Sequence, residues 1–190
     1  DNGSIFTDVD KTSGDGAIFK EGSGRLEMRP KSSMTGNITL REGDIWQMRD
    51  DAYPSSGLLI FQGGAYKSSS GASRTIEKPV RVDDDFELGE ATTRDGEIIF
   101  VSTFNINSIG APHTITMQNN NEIQGIISGG GFAKAGSGSL TISGLASNTL
   151  SDGREVNEGL LILDKATGLR ATGGISINSG STIRTDADYQ

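Results

Sequence analysis

A nine-residue phrase that occurs twice constrains the fold of this chain more than any other feature. Residues 20–28 read Lys-Glu-Gly-Ser-Gly-Arg-Leu-Glu-Met, and residues 134–142 read Lys-Ala-Gly-Ser-Gly-Ser-Leu-Thr-Ile. A further glycine follows each copy, at Gly43 and Gly159. A phrase that recurs in this way predicts one structural unit that the fold uses more than once. We place the two units near residues 17–46 and 131–163.

The matched positions of this lysine–glycine phrase are expected to be structural. The lysine ammonium is expected to bond turn carbonyls while its aliphatic stem covers apolar surface. The glycines are expected at the corner of a coil, where the backbone adopts conformations that a Cβ forbids. The positions assigned to this role are Lys20, Gly22, Gly24, Leu26, Lys134, Gly136, Gly138, Leu140, Ile142 and Gly159.

Apolar and polar residues alternate with a period of two, which is typical of β-strands. Leu140 and Ile142, for example, alternate with Ser139 and Thr141. The same alternation occurs at Leu26/Met28, Ile38/Leu40, Val80/Val82, Phe86/Leu88, Phe104/Ile106, Ile115/Met117 and Ile175/Ile177. Most of these strands hold only two inward residues, so they are predicted to be short. The 27 glycines and 4 prolines fit many tight turns between such strands.

Three runs are apolar on both faces and predict strands that are covered on both sides. They lie at residues 58–61, 98–101 and 160–163.

Short strands with polar turns fit both a β-sandwich and a β-helix. The spacing of the repeated phrase, together with the family resemblance described next, favours an all-β β-helix, a solenoid with three strands per coil. With about 20 residues per coil and coils about 4.8 Å apart, the chain of 190 residues would form roughly nine coils. Residues 1–190 are expected to be a single β-helical segment.

Residues 131–144, Gly-Phe-Ala-Lys-Ala-Gly-Ser-Gly-Ser-Leu-Thr-Ile-Ser-Gly, resemble the autotransporter-associated β-strand repeat, also called the passenger-associated transport repeat. Asn148 and Thr149, and the segment 153–160, are similar to the tail of that repeat, and residues 17–46 are a weaker copy. The resemblance implies a right-handed parallel β-helix in a secreted or surface protein of a Gram-negative bacterium. It implies no catalytic residues and no cofactor.

The composition of the chain limits the classes of partner that it is expected to bind. The formal net charge of −8 argues against nucleic acid and anionic membranes, which bind basic surfaces. The absence of cysteine excludes disulfides and thiolate metal sites. There is no run of 18 apolar residues, so no membrane-spanning helix is predicted. Because the chain starts at Asp1 without methionine, we expect it to be part of a longer protein that is its main partner, with end-to-end self-association as a second contact.

The acidic segments give weak signals for a metal site. Residues 8–16 resemble a calcium loop, but the ligand spacing of an EF-hand is broken, so we expect stability to be indifferent to calcium. Asp83, Asp84, Asp85 and Glu87 could hold calcium or act as catalytic carboxylates, but are interpreted as a polar turn. His113 is the only histidine, which argues against a His-rich metal site, and it is interpreted as a turn residue. No metal ligand and no catalytic residue is therefore predicted.

Aromatic residues provide the remaining candidate site. Trp46, Tyr53 and Tyr66 could form a platform on which sugars stack, and Trp46 and Tyr66 are the predicted glycan contacts. The leading functional prediction is a structural β-helical module that is not an enzyme and that supports secretion, folding and surface extension of a larger protein. The alternatives are an adhesin or glycan-binding module, and a polysaccharide-cleaving enzyme that uses residues 81–87.

Overall fold

The chain folds into a stack of short strands, seen in a computed structural model that describes residues 13–29, 33–50, 52, 56–69, 71–91, 95–166, 170 and 174–186. These residues form 23 strands and no helix. The strands, in chain order, are β1 (Ser13–Gly14), β2 (Ile18–Lys20), β3 (Arg25–Met28), β4 (Ser33–Met34), β5 (Ile38–Leu40), β6 (Asp44–Gln47), β7 (Leu59–Phe61), β8 (Ala65–Ser68), β9 (Arg74–Ile76), β10 (Val80–Val82), β11 (Phe86–Leu88), β12 (Ile98–Phe100), β13 (Phe104–Ile106), β14 (His113–Met117), β15 (Asn121–Ile123), β16 (Ile127–Gly129), β17 (Phe132–Ala135), β18 (Ser139–Gly144), β19 (Thr149–Leu150), β20 (Arg154–Val156), β21 (Leu160–Lys165), β22 (Ile175–Ile177) and β23 (Thr182–Thr185).

Three long parallel sheets run along the stack, and each turn of the chain contributes one strand to each sheet over most of its length. Sheet I consists of β2, β5, β7, β10, β13, β16 and β19. Sheet II consists of β3, β6, β8, β11, β14, β17, β20 and β22, and sheet III of β9, β12, β15, β18, β21 and β23. Strands β1 and β4 form a small fourth sheet. This architecture is a parallel β-solenoid of about seven turns, which confirms the predicted all-β parallel coil.

Several turns are longer than the sequence analysis assumed. Ile18 pairs in register with Ile38 of the next turn, and Val80 pairs in register with Phe104. The second pair is separated by more residues than the first. Longer turns use more residues for each coil, and the described residues form about seven turns, so the roughly nine predicted coils are not confirmed.

The interior follows the predicted alternation. Leu140 and Ile142 are fully buried, whereas Ser139 and Thr141 are partly exposed. The other predicted inward residues are also buried, except in the last strand of sheet II. Ile177 in β22 is 56% exposed, so its predicted burial is wrong, because the described residues include no further strand of sheet II to cover it.

The three apolar runs differ in how well they are covered. Leu59, Ile60 and Phe61 are all buried, as predicted for a strand that is covered on both faces. Ile162 on the outer face of β21 is also buried. Val101, in contrast, is 39% exposed, so the outer face of the run at 98–101 is only partly covered.

An aromatic cluster joins the three sheets in the middle of the solenoid. The ring of Phe61 in sheet I stacks on Phe86 in sheet II with a centroid distance of 4.0 Å. It meets Phe100 in sheet III edge-on at 6.4 Å, and Phe100 in turn meets Phe104 at 5.2 Å. This packing fixes the wall of the solenoid beneath the outer face of sheet II, where a surface groove lies.

Candidate functional site

The first copy of the lysine–glycine phrase forms a corner in which an ammonium group bonds only backbone carbonyls. Lys20, at the end of β2, turns its side chain into the corner between sheets I and II. Its Nζ donates to the carbonyl oxygens of Glu21, Gly22 and Glu42 at 3.0, 2.5 and 2.9 Å. The Glu42 carboxylate accepts a hydrogen bond from the Gly22 amide at 3.1 Å. Glu42 lies one turn further along the chain, so this lysine corner ties two adjacent turns together.

The second copy repeats the same contacts at a different place. Nζ of Lys134 donates to the carbonyl oxygens of Ala135, Gly136 and Glu158 at 3.2, 2.7 and 2.8 Å. The Glu158 carboxylate accepts from the Gly136 amide at 3.1 Å. Lys134 lies near the end of β17 in sheet II, so this lysine corner lies between sheets II and III. The phrase therefore specifies a corner of the coil and not a particular sheet.

A glycine of the next turn closes each lysine corner. A Cβ on Gly159 would lie 2.6 Å from the carbonyl oxygens of both Gly136 and Gly138, and 2.8 Å from Nζ of Lys134. A Cβ on Gly43 would meet the first corner at even shorter distances. Only glycine fits above the ammonium, so each unit needs its lysine and a glycine one turn later.

The buried lysine of the second corner lacks the solvation that stabilises a charged ammonium. Lys134 is completely buried, and this burial lowers its pKa to about 8, although the Glu158 carboxylate acts in the opposite direction. Burial also lowers the pKa of Lys20, Lys78 and Lys165. The carbonyl oxygens therefore hold cations whose charge is costly to bury, which makes the corners sensitive to pH.

We expect Lys134→Met to change how stability depends on pH. Because the folded pKa of about 8 lies below the ordinary 10.5, the unfolded chain binds more protons between these values. The unfolding free energy from this group therefore rises with pH across that window, by up to about 3 kcal/mol. The variant loses this rise, and at pH 7 it is destabilised by about 1–3 kcal/mol because three carbonyls lose their donor.

Urea unfolding of both proteins from pH 7 to 10.5 measures this effect, since titrations common to the two chains cancel in the difference. Lys20→Met should deviate in the same direction. Parallel pH curves for the wild type and Lys134→Met would show that the ammonium carries no such linkage.

A ladder of polar side chains runs along the corner between sheets I and II, from one turn to the next. The Arg41 guanidinium pairs with Glu21 and donates to Gln62, at 3.2 Å for the second contact. Gln62 and Asn107 then donate to the two carboxylate oxygens of Asp83 at 3.2 and 3.1 Å. Burial acts to raise the pKa of Asp83, but hydrogen bonds from the ladder and from an adjacent arginine outweigh it and keep that pKa below its ordinary value. The hydrogen-bonded Asp83 carboxylate is thus part of the structure of the solenoid wall.

A polar groove of about 450 Å³ lies on the outer face of sheet II. Its floor is Ala65, whose small side chain lies in register between Asp44 on one side and Glu87 on the other. The groove is lined by Gly43, Asp44, Gly64, Ala65, Lys67, Asp85, Phe86, Glu87, Thr114 and Thr116. Its side chains offer carboxylate, hydroxyl and ammonium groups to a polar ligand.

Of the predicted glycan contacts, Trp46 lies beside this groove. The indole is partly exposed, and its Nε1 points to the Asp44 carboxylate at 3.5 Å. The Arg25 guanidinium lies 4.9 Å from the ring centroid and the Lys67 ammonium 5.7 Å from it. The ring is therefore already in contact with two cations.

Tyr66 is not a surface residue. Its side chain is completely buried, its hydroxyl donates to Gln47 at 2.9 Å, and its ring meets Phe61 edge-on. The prediction that Tyr66 contacts a glycan is wrong, because a sugar cannot reach the ring in this fold. Tyr53 lies outside the described residues.

The acidic turn and the single histidine, which the sequence analysis treated separately, come together. Ligand atoms of Asp84, Asp85 and His113 all lie within 4.8 Å of one another. Asp85 also lines the groove, next to Thr114. Nothing in the sequence signals this cluster, because a full turn of the chain separates Asp85 from His113 and only the coil length brings them together. The calcium-like segment 8–16 lies largely outside the described residues.

Comparisons with known proteins found no family model, curated protein or solved structure that matches this chain. Among the described residues, no helix is long and apolar enough to cross a membrane.

Proposed function

We propose that this chain is a structural β-helical module of a large secreted or cell-surface protein of a Gram-negative bacterium. Its role would be to support secretion and folding of the parent chain and to extend other parts from the cell. The observation that carries the proposal is that adjacent turns are held to each other. The long sheets pair strands of adjacent turns, and each lysine corner bonds a carbonyl of the next turn. A chain held by nearest-neighbour contacts can fold turn by turn as it emerges.

The resemblance of residues 131–144 to the passenger-associated transport repeat supports the same role. In that family, the repeat is associated with passage of the passenger through its outer-membrane pore. We further propose that the coil is right-handed, because parallel strands joined by crossovers in one sheet are right-handed in about 98% of cases. The formal net charge of −8 is compatible with an extracellular surface that binds neither nucleic acid nor anionic lipid.

We propose no enzymatic activity, and the support for this is that two carboxylates at and near the groove are engaged in ion pairs. Asp44 is paired with Lys67 at 2.9 Å, and Asp83 is held by the ladder and by Arg81 at 2.8 Å. The expected partner is the rest of the parent chain. End-to-end association of two modules is a second expected contact, because the edge of a β-sheet can pair with a strand of another chain.

A deletion series in the parent protein tests the structural role. Removing residues 13–186 should strongly reduce surface display, measured by protease accessibility on intact cells. Removing residues 59–79 should leave display nearly unchanged, because Leu59 and Val80 are register partners and the cut removes one whole turn. A cut of residues 59–69 removes half of that turn and serves as the out-of-register control.

Two outcomes of this deletion series would contradict the proposal. If display is unchanged without residues 13–186, the module does not have the proposed role. If display is lost equally with the in-register and out-of-register cuts, the turn is not the functional unit.

A glycan-binding surface is the second candidate, favoured by the groove beside Trp46. A glycan array with the isolated module tests it, with Trp46→Ala as the matched variant. Saturable binding that the variant loses would support this function. The same panel, examined for cleavage products, tests the proposed lack of enzymatic activity, and one reproducible product would contradict it.

A further inference from the structure

A cluster of two carboxylates and an imidazole lies at the corner between sheets I and II, at the edge of the groove. Asp84 and Asp85 precede β11 in one turn, and His113 begins β14 in the next turn. We propose that Asp84, Asp85 and His113 bind one divalent transition-metal ion of borderline softness, such as zinc. The site would hold two adjacent turns together from outside, independently of the role proposed above.

The orientation of the histidine is the main observation. Its Nε2 lies 3.3 Å from the carbonyl oxygen of Asn107. A carbonyl can only accept, so Nε2 carries the proton, and in the neutral ring the lone pair is on Nδ1. Nδ1 lies 3.9 Å from Oδ1 of Asp85. A cation between these two atoms, either a metal ion or a proton on the ring, would be attracted by both of them.

The partners of the cluster fix its geometry as they do around metal-bound histidines. The Asn107 carbonyl, which is not itself a ligand, sets the tautomer and ring orientation, a common arrangement for histidine ligands. Oδ1 of Asp85 accepts from the Thr114 amide at 2.7 Å, and Oδ1 of Asp84 accepts from the Asp85 amide at 2.8 Å. A carboxylate oxygen has two lone pairs, so Oδ1 of Asp85, which faces His113, can bind an ion while it accepts from Thr114.

The distances and donor types select the class of ion. Zinc binds nitrogen and carboxylate oxygen at about 2.0–2.2 Å in a tetrahedral arrangement, so two of its ligand atoms are about 3.4 Å apart. Nδ1 of His113 and Oδ1 of Asp85 are 3.9 Å apart, and the ligand atoms of the cluster lie within 4.8 Å of one another, so zinc binding requires the exposed aspartate side chains to rotate inward. Imidazole nitrogen favours zinc, copper or nickel, whereas calcium takes six to eight oxygen ligands.

The surrounding charges favour a cation. Glu87 faces the same groove and adds a further carboxylate. Two basic groups of this part of the surface are already engaged, since Lys67 is paired with Asp44 and Arg81 is paired with Asp83. Three protein ligands leave the remaining coordination positions to water, and the exposure of both aspartates allows the ion to enter directly from solvent.

The test uses the chain without a histidine tag, because His113 is its only histidine. Zinc chloride is titrated by calorimetry, and the single set of imidazole signals is followed by NMR. We expect one zinc per chain, with the imidazole signals shifting to saturation at the same stoichiometry. A saturating concentration should also raise the melting temperature by several degrees, because zinc would bind the folded state alone. Calcium should give neither effect.

His113→Gln and Asp85→Asn should each weaken zinc binding by about tenfold or more. Asp152→Asn, which changes an exposed carboxylate at another corner, should leave the affinity unchanged. All of these positions are at the surface, and circular dichroism confirms that each variant is folded. The proposal is overturned if His113→Gln binds zinc as well as the wild type, if the imidazole signals do not move, or if no saturable binding occurs below millimolar zinc.

Discussion

Leu140→Asp is expected to unfold the region around the second lysine corner and to abolish cooperative folding of the turns that contact it. Leu140 is completely buried and lies in register between Asn121 of one turn and Leu161 of the next. An unpaired carboxylate at that depth costs several kcal/mol, against a total stability of about 5–15 kcal/mol. Urea unfolding and limited proteolysis measure the loss.

Ser139→Asp is the matched control, one residue away on the opposite face of β18. Ser139 is partly exposed and its hydroxyl donates to Asn120 at 2.8 Å. The loss of that bond should cost no more than about 1 kcal/mol. If both variants unfold at the same urea concentration, the inward register of this strand is incorrect.

The alternation of apolar residues was sufficient to predict the class of fold, because a strand covered on one face must alternate. It also contained information that the site prediction did not use. In β8, Tyr66 and Ser68 alternate with Lys67, and the strand therefore directs Tyr66 inward and Lys67 outward. Applied consistently, the period of two excludes Tyr66 as a glycan contact and retains Trp46, which lies beside the inward Ile45.

The length of a turn was harder to predict than its existence. The strands are set by their apolar residues, but the corners vary in length and carry no periodic signal. Between Phe61 and Val80 the corners add little, whereas between Val82 and Phe104 they make the turn longer than the one before it. An error of a few residues per turn accumulates along the chain, so the number of coils, about seven in the described part of the chain, is harder to predict than the fold.

Contacts between turns could not be predicted from the sequence for the same reason. Asp95 is an example, because its carboxylate accepts from the amides of Ser68 and Glu90 at 2.7 and 2.6 Å. Burial raises its pKa to about 6. No local motif marks this residue, since one of its partners lies a full turn away. The ladder through Asp83 and the cluster around His113 depend equally on which residues the coil length brings together.

The second large effect is expected at the glycine that closes a lysine corner. Gly159→Ala should destabilise the chain by more than about 3 kcal/mol, for two separable reasons. The residue has φ of +69°, which costs a residue with a Cβ about 1–2 kcal/mol. In addition, the new methyl group would lie 2.6 Å from two backbone carbonyl oxygens, which cannot move without opening the corner.

Two other glycines separate these contributions, with all four proteins compared by urea unfolding. Gly22 has the same φ of +69° but no atom near the position of a Cβ, so Gly22→Ala should show the backbone strain alone, about 1–2 kcal/mol. Gly153 has neither a positive φ nor a close neighbour, so Gly153→Ala should be neutral or slightly stabilising. The expected order of stability is therefore Gly153→Ala, then Gly22→Ala, then Gly159→Ala. If Gly159→Ala were no worse than Gly22→Ala, the carbonyls would be free to move apart, and the close stacking of turns at the lysine corner would not contribute to stability.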